Sequence, residues 1–130
     1  MIDPSTHLMI GGIYILTNNK LDPSRQNNKM HIYLGKYKEA SQFLLINSKR
    51  RSFYDPCYPL LKTEYTFLQH DSYIGCNANG GIQALDPPYK ISKKCGRLTR
   101  DDLKQVIDLL CKDGLDDDKY EALSSHLIRY

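Results

Sequence analysis

The residues from Thr99 to Gly114 carry the clearest helical pattern in this chain, and they follow every segment that is typical of a strand. Thr99 and Asp102 have the spacing of an N-terminal helix cap, and Gly114 is a typical helix end. Apolar side chains between them recur at helical intervals, at Leu103, Val106, Ile107 and Leu110. The spacing predicts an amphipathic helix that packs on the structure formed by the earlier residues. A second helix is predicted at about residues 117 to 128.

Short apolar segments separated by turn residues fill the rest of the chain and predict strands. The segment Gln42–Asn47 is nearly all apolar, which is typical of a central strand that is buried on both faces. Pro56 and Pro59 predict an irregular stretch over 55–59. The other predicted strands cover residues 12–17, 31–34, 60–67, 72–76, 82–85 and 89–93. Strands followed by helices predict an α+β domain, a small β-barrel with a helix packed on it.

The chain has 130 residues, enough for a single domain with its own core. Residues 1–9 are expected to be a loose lead-in, and the polar stretch 17–29 to be a long exposed loop. No apolar run approaches the 18 residues or so that a membrane-spanning helix needs. The first residues also lack the basic and apolar pattern of a secretion signal. We therefore expect a soluble, cytoplasmic protein without a membrane partner.

Four cysteines, at positions 57, 76, 95 and 111, lack the close pairing that is typical of zinc sites. The four histidines are scattered as well. In a cytoplasmic protein such cysteines are typically free, buried thiols. The sequence predicts no metal site, and it contains no motif for a cofactor.

Positive charge is concentrated in the first half of the chain. Residues 20–63 contain nine Lys or Arg and three Asp or Glu, whereas residues 99–130 contain five Lys or Arg and eight Asp or Glu. Ten tyrosines accompany this charge, and tyrosine rings stack on unpaired bases. The pattern is typical of a surface that faces a polyanion, although lysine-rich loops that solvate a small β domain, and tyrosines that pack in strands, give the same composition.

Four segments, taken in their order along the chain, resemble a known family. They are the strand Ile13–Leu16, the strand Phe43–Ser48, the motif Asp71-Ser72-Tyr73-Ile74, and Gly96-Arg97-Leu98-Thr99 with the helix after it. Together they resemble the PemK/MazF family of small toxin endoribonucleases over about residues 10–112. The resemblance implies an SH3-like β-barrel with a C-terminal helix packed on it, and it leaves residues 115–130 as an additional helix.

The resemblance also implies a toxin–antitoxin system. In such a system a homodimeric hydrolase binds single-stranded RNA, and a cognate antitoxin covers the RNA groove. The implied reaction needs no metal or cofactor, because the 2′-hydroxyl of the RNA attacks the adjacent phosphate. A base, an acid and a cation near the phosphate are sufficient for this chemistry.

The resemblance implies a catalytic set of Lys29, His31 and Ser48. Lys29 would stabilise the phosphate charge, His31 would transfer the proton, and the Ser48 hydroxyl would hold a phosphate oxygen. The stretch that starts at Lys29 replaces an Arg-Pro pair of the family, and Asn77 stands near a position where some members carry an acid. The predicted RNA-binding residues are Lys49, Arg50, Arg51, Tyr54 and Asn77.

Two other hypotheses fit the same residues. The first is a non-catalytic module on the same barrel that binds RNA or a protein. The second is an accessory protein of a phage or mobile element that binds a host protein. Convergence of Lys29, His31 and Ser48 on one groove would favour the enzyme, and a His31 side chain that points into the core would favour the module.

Overall fold

The apolar stretch predicted as a buried strand forms the centre of an antiparallel sheet. A computed structural model of the chain describes residues 7–17, 29–79, 81–85 and 90–130. These residues form an α+β structure with seven strands and two α-helices. The elements are β1 (Gly12–Thr17), β2 (Met30–Tyr37), β3 (Ala40–Asn47), β4 (Cys57–Leu60), β5 (Ser72–Gly75), β6 (Ile82–Leu85), β7 (Lys90–Arg97), α1 (Arg100–Lys112) and α2 (Asp117–Ser125).

The strand order is β4-β5-β3-β2-β1-β7, and β6 also pairs with β3. Strand β3 therefore contacts three other strands and lies in the middle of the sheet. In the part of the chain that the structure describes, no pairing joins β4 to β7. The sheet is open there, so the predicted α+β class is confirmed and the barrel is not.

Both faces of the sheet are covered, so the six inner residues of β3, from Ser41 to Ile46, are all buried. On one face, Ile13, Ile32 and Leu44 pack in the main core against α1. On the other face, Tyr33 and Phe43 belong to a second, smaller cluster. Neighbouring residues of one strand thus serve two different cores, as the alternation of side chains along a strand requires.

Helix α1 begins and ends as its sequence predicts. The Thr99 hydroxyl accepts a hydrogen bond from the Asp102 backbone N–H at 3.2 Å. Gly114, with a φ of 100°, lies in the left-handed region just after the helix, where glycine is favoured. The four predicted apolar positions are all buried in the main core: Leu103, Val106, Ile107 and Leu110.

The C-terminal segment, which the family resemblance leaves out, is part of the main core. Helix α2 and a 3₁₀ turn at His126–Arg129 confirm the predicted second helix. Leu123 and Leu127 are buried in the main core. The last ring of the chain, Tyr130, lies under the Arg97 guanidinium at 4.0 Å. Residues 115–130 therefore close the core that the strands leave open.

The stretch between β3 and β5 differs from the prediction. The predicted strand over 60–67 is wrong, because the strand covers Cys57–Leu60 and turns follow it. The predicted irregular stretch at 55–59 is wrong over the part that joins β4. Pro59 fits there because β4 is an edge strand, where a missing backbone N–H leaves no ladder partner unpaired.

Two predicted loops lie mostly outside the described residues, namely the lead-in up to residue 6 and the polar stretch over 18–28. The four cysteine side chains are free thiols; Cys76 is buried and the other three are half-buried. Neither described α-helix has the length and apolar character needed to cross a membrane.

Candidate functional site

A wide groove of about 960 Å³ opens on the face of the sheet that carries the main core. We call it the basic groove. Apolar side chains of β1, β2 and β3 lie at its floor, from Ile15, Met30 and Ile46. Its walls come from the loop after β3, over 48–54, and from the end of the loop between β4 and β5 with the first residue of β5, over 67–72. The sheet thus supplies the floor, and the two longest described loops supply the walls.

Four cationic side chains line the basic groove. Lys29, Lys49, Arg51 and Lys93 are all exposed and come from three separate places in the chain, because Lys49 and Arg51 share the loop after β3. The exposed imidazole of His70 lies in the same lining. No Asp or Glu is found among the described residues of the lining. Positive charge without a carboxylate in the described lining gives the groove a field that attracts anions.

Three aromatic rings lie among these cations. Phe53 is 68% exposed, and its ring stands edge-on to that of Tyr54 at 5.0 Å. Tyr54 packs on Gly75, where a methyl group would lie 2.8 Å from its Cβ. The third ring, Phe67, packs on Gly96 in β7. Two rings are thus seated on glycines of the sheet, whereas Phe53 presents its surface to solvent.

Local contacts shape the loop that carries Phe53. Residues Ser52–Tyr54 form a 3₁₀ turn, closed by a hydrogen bond from the Tyr54 N–H to the Arg51 carbonyl at 2.9 Å. Arg50 bonds Asp55 across this turn at 3.1 Å, and the guanidinium lowers the pKa of that carboxyl. The pairing of Arg50 with Asp55 leaves Arg51 as the arginine that lines the groove.

Helix α1 holds the other wall. The Asp102 carboxylate, in the first turn of α1, accepts hydrogen bonds from the Tyr58 and Tyr65 hydroxyls. Tyr65 also accepts a hydrogen bond from the Thr99 N–H at 3.1 Å. Because Tyr65 is only two residues before Phe67, these bonds fix the place where the wall begins.

Five of the predicted site residues meet in the basic groove. They are Lys29, Ser48, Lys49, Arg51 and Tyr54. Arg50 does not line the groove and is held by Asp55. Asn77 also lies outside the lining, and its side chain donates a hydrogen bond to the Phe53 carbonyl at 2.8 Å. Asn77 therefore contacts the loop from behind rather than facing a ligand.

His31 is not brought to the other predicted catalytic residues. Its ring is 8% exposed and stands edge-on to Phe43 of the second cluster, at 6.1 Å. One ring nitrogen, Nδ1, lies 3.1 Å from the Lys29 carbonyl oxygen. Burial lowers the pKa of His31 to about 4, so the ring is neutral at pH 7. The side chain lies on the sheet face opposite the groove.

Sequence reasoning missed several residues of the basic groove. The sequence does contain a signal for Phe53 as a site residue, because Phe53 stands two residues after an arginine pair in a polar loop. The sequence contains no such signal for Phe67, His70 and Lys93. These residues are far from residues 48–54 in the sequence, and only the sheet brings them close.

A scan against protein-family models finds no match to this chain, and a search of curated proteins finds no similar sequence.

Proposed function

We propose that this protein binds single-stranded RNA in the basic groove. The observation that carries the proposal is the exposed Phe53 ring, which lines the groove together with Arg51 and three lysines. The described part of this lining contains no acidic side chain. Exposed aromatic rings between cations are typical of surfaces on which unpaired bases stack while the phosphates meet positive charge.

The charges support a nucleic acid as the ligand. Lys29, Lys93 and the pair Lys49 and Arg51 come from three different segments, so positive charge is spread over the groove. A chain of phosphates has the same spread of charge along its length. Of the described salt bridges, only that between Arg50 and Asp55 lies beside the groove, and it neutralises none of these four.

The aromatic rings support a single strand, because a duplex hides the faces of its bases. RNA rather than DNA is supported by the resemblance to the PemK/MazF family and by the hydroxyl and carboxamide groups in the lining. Ser48, Asn47 and Gln69 can exchange hydrogen bonds with a ribose 2′-hydroxyl. This is the binding module that the sequence analysis set against the enzyme, and the placement of His31 favours it.

RNA cleavage is a second candidate, favoured by the presence of Lys29 and Ser48 in one lining. The proton transfer assigned to His31 would need another group, and His70 is the imidazole among the described lining residues. A toxin-type endoribonuclease of this kind would have the homodimer, the antitoxin and the SH3-like barrel that the family resemblance implies.

Fluorescence anisotropy with a short labelled RNA tests the binding proposal. We expect the single strand to bind, the same sequence in a duplex to bind much more weakly, and log Kd to rise linearly with log salt concentration. Equal affinity for the duplex, or an affinity that does not change with salt, would overturn the proposal.

Incubation of the bound RNA in EDTA separates binding from cleavage. Products with cyclic-phosphate and 5′-hydroxyl ends, absent with a Lys29→Ala variant, would support the endoribonuclease. Bound RNA that stays intact would support the binding module alone.

A further inference from the structure

We infer that Asn77 is a positioning residue of the RNA site: its carboxamide holds Phe53 in place for stacking on a base. The inference rests on the proposed function. It assigns Asn77 a role different from the direct RNA contact that the sequence predicts.

The carboxamide of Asn77 has its orientation set by two hydrogen bonds. Its Nδ2 donates to the Phe53 carbonyl oxygen at 2.8 Å, and its Oδ1 accepts from the Asn79 backbone N–H at 2.7 Å. Because one side of a carboxamide only donates and the other only accepts, the two partners allow a single orientation. The donor side is therefore committed to the loop that carries Phe53.

The backbone of the turn is held independently of this side chain. The Asn77 carbonyl accepts hydrogen bonds from the Gly81 N–H at 2.9 Å and the Ile82 N–H at 3.3 Å. The next residue, Ala78, donates its N–H to Asp113 at the end of α1, at 2.8 Å. A change in the Asn77 side chain leaves all three bonds in place. The turn is thus a fixed support from which the side chain reaches the loop.

Phe53 depends on such a support because its ring is little buried. The ring is 68% exposed, and the turn Ser52–Tyr54 contains no buried residue. An exposed side chain in a short loop gains conformational freedom when the loop loosens, and binding must then remove that freedom again. The bond from Asn77 holds the backbone of Phe53 before RNA arrives.

Asn77→Asp is the sharpest test, because it removes the donor to Phe53 and keeps the acceptor for Asn79. Asn79→Asp is the matched control, since it adds the same charge to an exposed position of the same turn. We expect Asn77→Asp to weaken RNA binding by about two- to tenfold, the range that one neutral hydrogen bond supplies. The control is expected to change the affinity by less than that, with both thermal midpoints close to wild type.

An RNA of the same length that lacks bases distinguishes positioning from a phosphate contact. Asn77→Asp and Asn79→Asp should bind the abasic strand equally, because neither changes a phosphate contact. In a Phe53→Ala background, Asn77→Asp should cause no additional loss, because there is no ring left to position.

Four outcomes would overturn the inference. A loss that is equal for abasic and normal RNA, or that persists in the Phe53→Ala background, would make Asn77 a direct contact or a purely structural residue. Normal RNA binding by Asn77→Asp would overturn the inference alone and leave the proposed function standing. Failure of the wild-type protein to bind any RNA would overturn both.

Discussion

The ring of Phe67 lies so close to Gly96 that a methyl group at position 96 would stand 2.6 Å from its Cε1 atom. This contact joins the loop between β4 and β5 to β7, and both of these segments contribute residues to the lining of the basic groove. The same ring stands 6.1 Å from that of Tyr65, which hydrogen-bonds to α1 through Asp102. A glycine in an edge strand therefore decides where one wall of the groove can lie.

Gly96→Ala should destabilise the protein and weaken RNA binding, because Phe67 must move to make room. Overpacking of this kind typically costs about 1–3 kcal/mol of unfolding free energy. Urea denaturation measures that cost. Phe67→Leu in the same chain should restore part of the lost stability, and a double variant no more stable than Gly96→Ala alone would contradict the contact.

Arg51 and Arg50 are adjacent residues of the same type with different surroundings, and they should differ in their effect on RNA binding. Arg51 lines the groove, whereas Arg50 is bonded to Asp55. Arg51→Ala should lower the slope of log Kd against log salt by about 0.7, the value for one phosphate contact on a single strand. Arg50→Ala should leave that slope close to wild type. The prediction is wrong if the two variants give the same slope.

Acid should destabilise the protein through His31. Its pKa is about 4 in the folded protein against an ordinary value of 6.5, so protonation favours the unfolded chain. The contribution of the neutral ring is complete above about pH 6.5 and is lost as the pH falls towards 4. The difference between the two pKa values corresponds to roughly 3 kcal/mol at most.

Urea denaturation at a series of pH values measures this loss. His31→Leu should show a smaller loss between pH 6.5 and 4, and the exposed His70 gives the control, because His70→Leu should follow the wild type. The same experiment separates the two roles considered for His31. A groove residue can be replaced with little change in stability, whereas a His31→Ala change beside the second cluster should lower the free energy of unfolding.

Leu123 and Ile128 test whether the C-terminal segment belongs to the core. Leu123 is fully buried, and Ile128 is 81% exposed. Leu123→Ala should lower the free energy of unfolding by about 2–5 kcal/mol through the cavity that it leaves. Ile128→Ala should change it by less than about 0.5 kcal/mol. Similar small effects of both changes would mean that the segment only rests on the surface.

Local patterns predicted the elements whose signals lie within a few residues of one another. The cap at Thr99 and the apolar repeat after it predicted α1, and the apolar run within Ala40–Asn47 predicted the central strand. The basic loop after β3 was also visible, because Lys49 and Arg51 are neighbours in sequence. The extents of three strands were misread. Strands β2 and β7 are longer than the predicted 31–34 and 89–93, and β4 was missed because the two prolines that suggest an irregular stretch are tolerated on an edge strand.

By itself, the sequence determined that the chain forms a sheet followed by helices and that a cationic loop leaves the central strand. Only the tertiary structure decided which face of the sheet each residue occupies. His31 and Met30 are neighbours in β2, but side chains alternate along a strand, so Met30 reaches the groove and His31 the second cluster. Lys93 and Phe67 join Arg51 for a related reason. Strand pairing brings distant segments together, and no local sequence pattern predicts which strands will pair.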